Sequence, residues 1–292
     1  MIAGFLKAGV MERGEHSPTN VGTPQGGVIS PLLLNIALHG MEQAVGMKYH
    51  RAGNSRWLYR HCPSLVRFAD DFVVMCHSHE QAQDVQERIR AWLMPRGLSL
   101  NDDKTKITTV TDGFDFLGFN IRRYNKRDGE KLLIKPSRDA QQRMRTRLRK
   151  ELRSLRGTNA AAVVGRLNPN IRGWANYYRR VVSSAVFAKL DSYLFFITYK
   201  WARRQHQNKS RQMIARRYFG RFNKSRNDRW VFGDRESGVY MQRFAWTKIV
   251  RHAQVKYGAS PDDPEMTQYW AKRRQRHQST PPWGSSLPTW LA

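Results

Sequence analysis

The chain has 292 residues, enough for one large hydrophobic core or two to three small ones. No apolar run is long enough to cross a membrane, and Met1-Ile2-Ala3-Gly4-Phe5 lacks the basic start and long apolar stretch of a secretory signal. A net charge of +28 points to a polyanionic partner, and two cysteines exclude a disulfide framework and fit a reducing, cytoplasmic interior.

Residues 1–21 begin with a short helical pattern and continue into Gly14 and the polar Ser17-Pro18-Thr19-Asn20. Gly22-Thr23-Pro24-Gln25-Gly26-Gly27-Val28-Ile29-Ser30-Pro31 reads as a stiff loop. Its paired glycines let backbone approach a ligand closely, and Pro31 suits the first turn of the helix that follows to about residue 45. Residues 46–64 read as a polar excursion. Leu65–Met75 reads as two short strands meeting at Ala69-Asp70-Asp71. Asp is depleted in strands and neighbouring carboxylates repel, so this tip is either a solvated turn or a place where Mg²⁺ holds the charge. Cys62 and Cys76, with His61, His77 and His79, lie near the hairpin base in a spacing that matches no standard zinc pattern; they read as ordinary strand-end residues. Gln81–Leu93 reads as an amphipathic helix with Ala82, Val85, Ile89 and Trp92 on one face. Leu98–Val110, Phe114–Arg122 and Leu132-Leu133-Ile134 read as further strands.

The period changes at Pro136-Ser137. Ser137 is a candidate N-cap, Ala140, Met144, Leu148, Leu152 and Leu155 recur at helical spacing, and Gly157 closes the helix. Its other faces carry Arg138, Arg143, Arg145, Arg147, Arg149, Lys150, Arg153 and Arg156. Like charges at i,i+4 destabilise an isolated helix by about 0.2–0.5 kcal/mol per pair, a penalty that an external polyanion reverses. Two more helices are expected over Ile171–Val182 and Val186–Trp201, and Ser279–Ala292 reads as a disordered tail. The charge is one-sided: residues 1–120 hold 12 Lys+Arg and 12 Asp+Glu, so of the totals of 51 and 23, 39 basic and 11 acidic residues lie in 121–292. A neutral region joined to a strongly basic one is the footprint of a phosphate-backbone binder, and places that binding in residues 121–292.

The Gly-Gly loop, followed by Phe68-Ala69-Asp70-Asp71, resembles the palm of a reverse transcriptase. Gly97-Leu98-Ser99-Leu100-Asn101 with Lys104-Thr105-Lys106-Ile107 resembles its lysine-bearing motif, and Phe114-Asp115-Phe116-Leu117-Gly118-Phe119 its primer-grip turn. Asn168-Pro169-Asn170-Ile171-Arg172-Gly173-Trp174-Ala175-Asn176-Tyr177-Tyr178-Arg179, and the stretch from Trp201-Ala202-Arg203-Arg204 through Arg251-His252 and Ala259-Ser260-Pro261 to Tyr269-Trp270, resemble the maturase-specific region of group II intron reverse transcriptase/maturases. The resemblance implies an α+β fold: a truncated palm with an antiparallel sheet over 1–135, a helical thumb over 136–203, and a helical maturase domain over 204–278.

It also implies roles. Asp70 and Asp71 are the metal ligands of a two-Mg²⁺ polymerase site. Phe68 supports the primer end, Gln25 and Gly26 line the nucleotide and template pocket, Leu117 and Gly118 form the primer grip, and Lys104 serves the leaving pyrophosphate. Arg143, Arg145, Arg147, Arg149, Lys150, Arg153, Arg172, Trp174, Tyr178 and Arg179 are the RNA-binding candidates, the aromatic rings among them also being candidates for core packing. The partners implied are group II intron RNA and a template–primer duplex. The resemblance further leads one to expect a third carboxylate upstream of Thr23, where only Glu12 and Glu15 occur, in a polar turn. The chain is therefore expected to start inside the palm and to stop before an endonuclease module, leaving the two-metal site incomplete. On that expectation it extends no primer unless a separate N-terminal reverse-transcriptase half is supplied. The alternatives are a non-enzymatic intron-RNA-binding remnant or split subunit, and a DNA-binding regulator, which explains the charge but not the palm motifs.

Overall fold

The computed structural model describes residues 10–12, 14–17, 29–52, 55–59, 61–127, 129–250, 255 and 263–278. It combines helices with small antiparallel sheets, as the α+β reading requires. It divides into two compact units, one reaching Ile107 and the other beginning at Thr108.

In the first unit, strands β1 (Val10–Glu12) and β2 (Glu15–Ser17) pair antiparallel, with Glu12 opposite Glu15. This corrects two expectations: Val10–Glu12 and Glu15–Ser17 are paired strands rather than helix, and both glutamates sit on strands. A second hairpin, β3 (Tyr49–Ala52) and β4 (Ser55–Leu58), replaces part of the expected polar excursion. Helix α1 (Ser30–Ala37) begins with Pro31 in its first turn, and α2 (Met41–Ala44) follows a left-handed Gly40. The expected hairpin is present as β5 (Ser64–Phe68) and β6 (Asp71–Met75). Helix α3 (His79–Leu93) is capped by Ser78, whose hydroxyl accepts from the Gln81 amide. The period-2 and period-3.6 patterns meet in one core: Leu38, Met41 and Val45 pack with Val85, Ile89 and Leu93, and Leu65, Phe72 and Val74 cover them from the inner face of the hairpin. Leu98–Val110 is not a strand. The Asn101 side chain accepts from the Lys104 amide and closes a turn there, as short polar side chains do.

In the second unit, β7 (Phe114–Phe116), β8 (Phe119–Lys126) and β9 (Gly129–Pro136) form a meander. Helix α4 (Arg138–Ser154) starts at the expected cap, the Ser137 hydroxyl accepting from the Ala140 amide. At its far end, the Leu155 carbonyl accepts from the Trp201 indole N–H and from the Thr158 hydroxyl, each at 2.9 Å. Helix α5 runs from Ala160 to Tyr178, eleven residues earlier than the expected start at Ile171, and carries Pro169 inside it. Tertiary bonds hold the helix through the proline: Asn168 donates to the Tyr240 carbonyl at 3.0 Å and accepts from the Gln242 amide at 2.8 Å. Helix α6 (Ser184–Gln205) and α7 (Arg211–Tyr218) follow. Beyond them, residues 219–250 are mostly irregular, with only the short pair β10 (Phe219–Gly220) and β11 (Val231–Phe232) and one 3₁₀ turn. The region is less helical than expected. Helix α8 covers Thr267–Gln278.

The core of this unit runs along α4, α5 and α6 through Leu148, Val163, Leu167, Ile171, Phe187 and Leu190 to Phe232 and Phe244. The irregular segment is tied to α6 by Asp191, which accepts from the Phe244 amide at 2.7 Å and the Ala245 amide at 3.0 Å and lies 3.5 Å from Arg243. Burial of its side chain pushes the Asp191 carboxyl up to about 6, although the two amides and the Arg243 guanidinium oppose the shift.

Candidate nucleic-acid interface

The β5–β6 turn is built around a strained residue. Phe68 pairs with Asp71, leaving Ala69 and Asp70 as the two-residue turn, and Ala69 has φ +54°. A residue other than glycine in that region costs about 1–2 kcal/mol, and such outliers cluster at functional sites. Arg67 fixes the conformation: its Nη1 donates to the Ala69 carbonyl at 2.9 Å and to Asn35 Oδ1 of α1 at 3.1 Å. Asp70 and Asp71 are exposed and have no hydrogen-bond or ion-pair partner among the described residues. Phe68, 65 % exposed, lies across from Asp71, and Val66 and Met75 extend that exposed face.

Phe68, Asp70 and Asp71 thus share one tip. Lys104 lies in the turn of the same unit with an exposed side chain. Gln25 and Gly26 lie outside the described residues, as do the tail from Ser279 and the Arg251-His252 and Ala259-Ser260-Pro261 stretches. Among the described residues, no three His, Cys, Asp or Glu side chains gather as a metal-binding group. Two unpartnered carboxylates do offer the hard oxygen donors that Mg²⁺ prefers. Its remaining ligands must then come from waters, substrate phosphates or protein groups beyond this tip. Cys62 is buried and Cys76 half-buried, both as free thiols.

The β7–β8 turn belongs to the second unit and is closed rather than open. Leu117 (φ +50°) and Gly118 (φ +79°) are its two residues. The Tyr177 hydroxyl donates to the Leu117 carbonyl at 3.0 Å, and the Gly118 carbonyl accepts from the Tyr178 hydroxyl at 3.2 Å and the Ser137 amide at 2.9 Å. A Cβ on Gly118 would lie 2.6 Å from the Tyr178 hydroxyl oxygen, so both backbone angle and space demand glycine.

Helix α4 supplies the charged surface. Arg143, Arg147, Arg149, Lys150 and Arg153 are exposed on it, with Arg138 and Arg156 at its ends. The two acids of the helix are already engaged: Asp139 pairs with Arg143, and Glu151 accepts from Arg166 of α5 at 2.7 Å. Arg147, Arg149, Lys150 and Arg153 therefore have no acidic partner among the described residues.

Three of the RNA-binding candidates pack against the protein itself, Tyr178 and Arg179 buried and Trp174 half-buried. Tyr178 is 5 % exposed and spends its hydroxyl on Gly118. Arg179 is 7 % exposed, its Nε donating to the Lys248 carbonyl. Trp174 packs among Tyr178, Phe187 and Phe244 with ring centroids 4.3–6.0 Å apart. Arg172 is half-buried and engaged. Arg145 is half-buried with its guanidinium 5.5 Å from the Tyr193 ring. Sequence reasoning missed the Arg67–Asn35 brace, whose partners are 32 residues apart, and an aromatic cavity around Trp230. The alternating Trp230-Val231-Phe232 was the available signal for the second.

Comparison with known proteins finds two family models and several relatives. A family model described as reverse transcriptase (RNA-dependent DNA polymerase) matches residues 1–121, and one described as the group II intron maturase-specific domain matches residues 141–219. Protein YkfC of Escherichia coli (strain K12) is 34 % identical over 151 residues, covering 44 % of this chain and 40 % of that protein. The group II intron-encoded protein LtrA of Lactococcus lactis subsp. cremoris is 29 % identical over 174 residues, covering 42 % of this chain and 29 % of LtrA. An uncharacterized 91 kDa protein in the cob intron of Schizosaccharomyces pombe is 27 % identical over 263 residues, 68 % of this chain and 32 % of its own length. The chain thus spans well under half of each relative.

Proposed function

We propose, for a chain that belongs to the group II intron reverse transcriptase/maturase family, that it binds intron RNA through the second unit and carries in the first unit two carboxylates of an RNA-directed DNA polymerase site. The observation that carries the RNA-binding reading is the α4 face, where the acids are neutralised internally and Arg147, Arg149, Lys150 and Arg153 are left over. Four neighbouring cations without acids repel one another until phosphates neutralise them, and each phosphate contact releases a counterion. Arg172 and Arg145, both half-buried, are secondary contributors in this reading.

The polymerase reading rests on the hairpin tip. Asp70 and Asp71 would hold Mg²⁺, which supplies activation of the primer 3′-hydroxyl and neutralises charge on the leaving pyrophosphate. Arg67 and Asn35 keep the tip in one conformation, so the carboxylates do not have to be ordered when substrate arrives. The exposed Phe68 ring beside Asp71 offers an apolar bed for the primer end. Lys104 provides positive charge for the pyrophosphate, and Leu117 with Gly118 presents the primer grip as a rigid turn. This arrangement of open carboxylates on a braced turn favours a polymerase site over a purely RNA-binding role.

The test is a salt titration of binding to intron RNA. The expected result is a linear fall of log affinity with log salt, with a slope of several units. Binding that salt does not weaken would overturn the RNA-binding reading. For the polymerase reading, the expected result is that template–primer extension, obtained when a separate N-terminal reverse-transcriptase half is supplied, requires Mg²⁺ and is lost in Asp70→Ala; extension that survives the substitution would overturn it.

A further inference from the structure

The second unit holds a cavity of about 690 Å³ between α6 and the irregular segment that follows α7. This volume is in the range of pockets that enclose small organic ligands. Its walls are aromatic. Phe195 meets Phe219 at 5.0 Å and the edge of Trp230 at 6.0 Å, and Phe232 completes the lining. Trp230 is 62 % exposed, while its neighbours Val231 and Phe232 are 2 % and 3 % exposed. The fold therefore holds a large flat ring at the mouth of the cavity without burying it.

The polar end of the cavity is charge-balanced. Asp228 accepts from Arg243 and, at 2.7 Å, from the Trp246 indole N–H, and Arg243 also faces Asp191. Gln242 lines the same end, and its side-chain oxygen has no hydrogen-bond partner among the described residues. Two carboxylates beside Arg243 and Arg229 make this a poor seat for a phosphate. The exposed Arg229 lines the cavity, and Lys200, Arg216, Arg217 and Arg226 are exposed on α6, α7 and the segment after α7, so the unit around it is cationic. A polyanion is drawn to the rim, and only an uncharged planar part of it suits the interior.

We propose that this cavity receives one unpaired base of the bound RNA, stacked on the Trp230 ring and flanked by Phe195, whose ring stands at 84° to it, with its polar edge toward Gln242 and the Asp228–Arg243 pair. Unpaired bases are commonly read in this way, by an aromatic face with a few hydrogen-bonding groups at the edge. The inference rests on the RNA-binding reading and deepens it.

The experiment uses the full chain and two RNAs with equal numbers of phosphates, one a hairpin with an unpaired loop and one fully paired. Trp230→Ala is expected to weaken binding of the looped RNA about tenfold and leave the paired RNA unchanged. Trp230→Tyr should stay within about twofold of the original chain. Trp230→Leu keeps apolar bulk but loses the ring, and should behave like the alanine variant even if the latter melts early. An abasic nucleotide at one loop position should reproduce the loss, and Trp230→Leu should add nothing further on that RNA. Equal weakening of both RNAs, or of neither, overturns the proposal, as does full affinity in the leucine variant, which would fit a protein side chain as occupant. If the unsubstituted chain binds neither RNA in a salt-dependent way, the RNA-binding reading itself fails.

Discussion

The β5–β6 tip of the first unit and the helical part of the second use their carboxylates in opposite ways, although Asp84 and Asp102 elsewhere in the first unit pair with Arg88 and Arg90. In the first, Asp70 and Asp71 stand at a hairpin tip with no partner among the described residues, on a turn braced by Arg67 and Asn35. In the second, Asp139, Glu151, Asp191 and Asp228 are engaged by arginines or backbone amides. What remains unpaired at the hairpin tip of the first unit is thus acidic, and what remains unpaired on the α4 face of the second is basic; these are groups available to a ligand. A carboxylate that braces the fold and one that awaits a cation are the same residue type. Their neighbours separate the roles.

The sharpest way to break this comparison is to delete an open carboxylate. Asp70→Ala should lower Mg²⁺-dependent primer extension by about a thousandfold or more in any preparation that extends, because positioning elsewhere cannot replace a metal ligand. Thermal melting should stay within about 0.5 kcal/mol of the original, since the exposed side chain makes no internal bond. A large stability change would place Asp70 among the braces instead.

The buried brace gives the next effect. Asp191 keeps its proton to about pH 6 in the folded chain, whereas an unfolded Asp releases it near its ordinary value. The folded state then binds more protons in that window, so this group's contribution to stability is present below about pH 4 and declines as pH rises to about 6. The difference amounts to about 3 kcal/mol at most. Urea unfolding of the original chain and Asp191→Asn across that range checks it: the gap between them should shift toward the variant as pH rises, and a constant gap would contradict the assignment.

A smaller effect is expected on the basic face. Neutralising Arg147, Arg149 and Arg153 together should lower RNA affinity about tenfold or more and reduce the salt slope by about two to three, with stability held or slightly raised as the Arg149–Arg153 repulsion is relieved. Filter binding at several salt concentrations measures both quantities. An unchanged slope would mean that these arginines do not touch phosphate.

Much of this division was legible in the sequence, for identifiable reasons. The β5–β6 hairpin and the capped helix α4 declared themselves because apolar period and boundary residues agreed. The Leu98–Val110 strand failed because Asn101 bonds its own backbone and turns the chain. Helix α5 begins eleven residues before the expected Ile171 and contains Pro169, and the Asn168 bonds that hold it through the proline reach residues more than seventy positions away, which no local pattern shows. Tyr178 and Arg179 looked like surface groups because polar heads on long side chains do not reveal whether the partner is solvent, RNA or a buried carbonyl. For the same reason the open state of Asp70 and Asp71 could not be read from two letters.

The smallest effect concerns the closed turn, and it separates backbone strain from hydrogen bonding. Tyr177 is 51 % exposed, and its one bond within this turn is to the Leu117 carbonyl, so Tyr177→Phe should cost about 0.5–1.5 kcal/mol. Gly118→Ala meets both a positive φ and the Tyr178 hydroxyl, and should cost more than the phenylalanine variant. Combining Gly118→Ala with Tyr178→Phe removes the hydroxyl that the new methyl group would strike. If space dominates, the double variant recovers part of the loss; if the left-handed backbone dominates, it does not. Chemical denaturation of the three variants distinguishes these outcomes. A Gly118→Ala chain as stable as the original would show that this turn is looser than its three hydrogen bonds imply, and would weaken the contrast with the braced but open tip at Asp70.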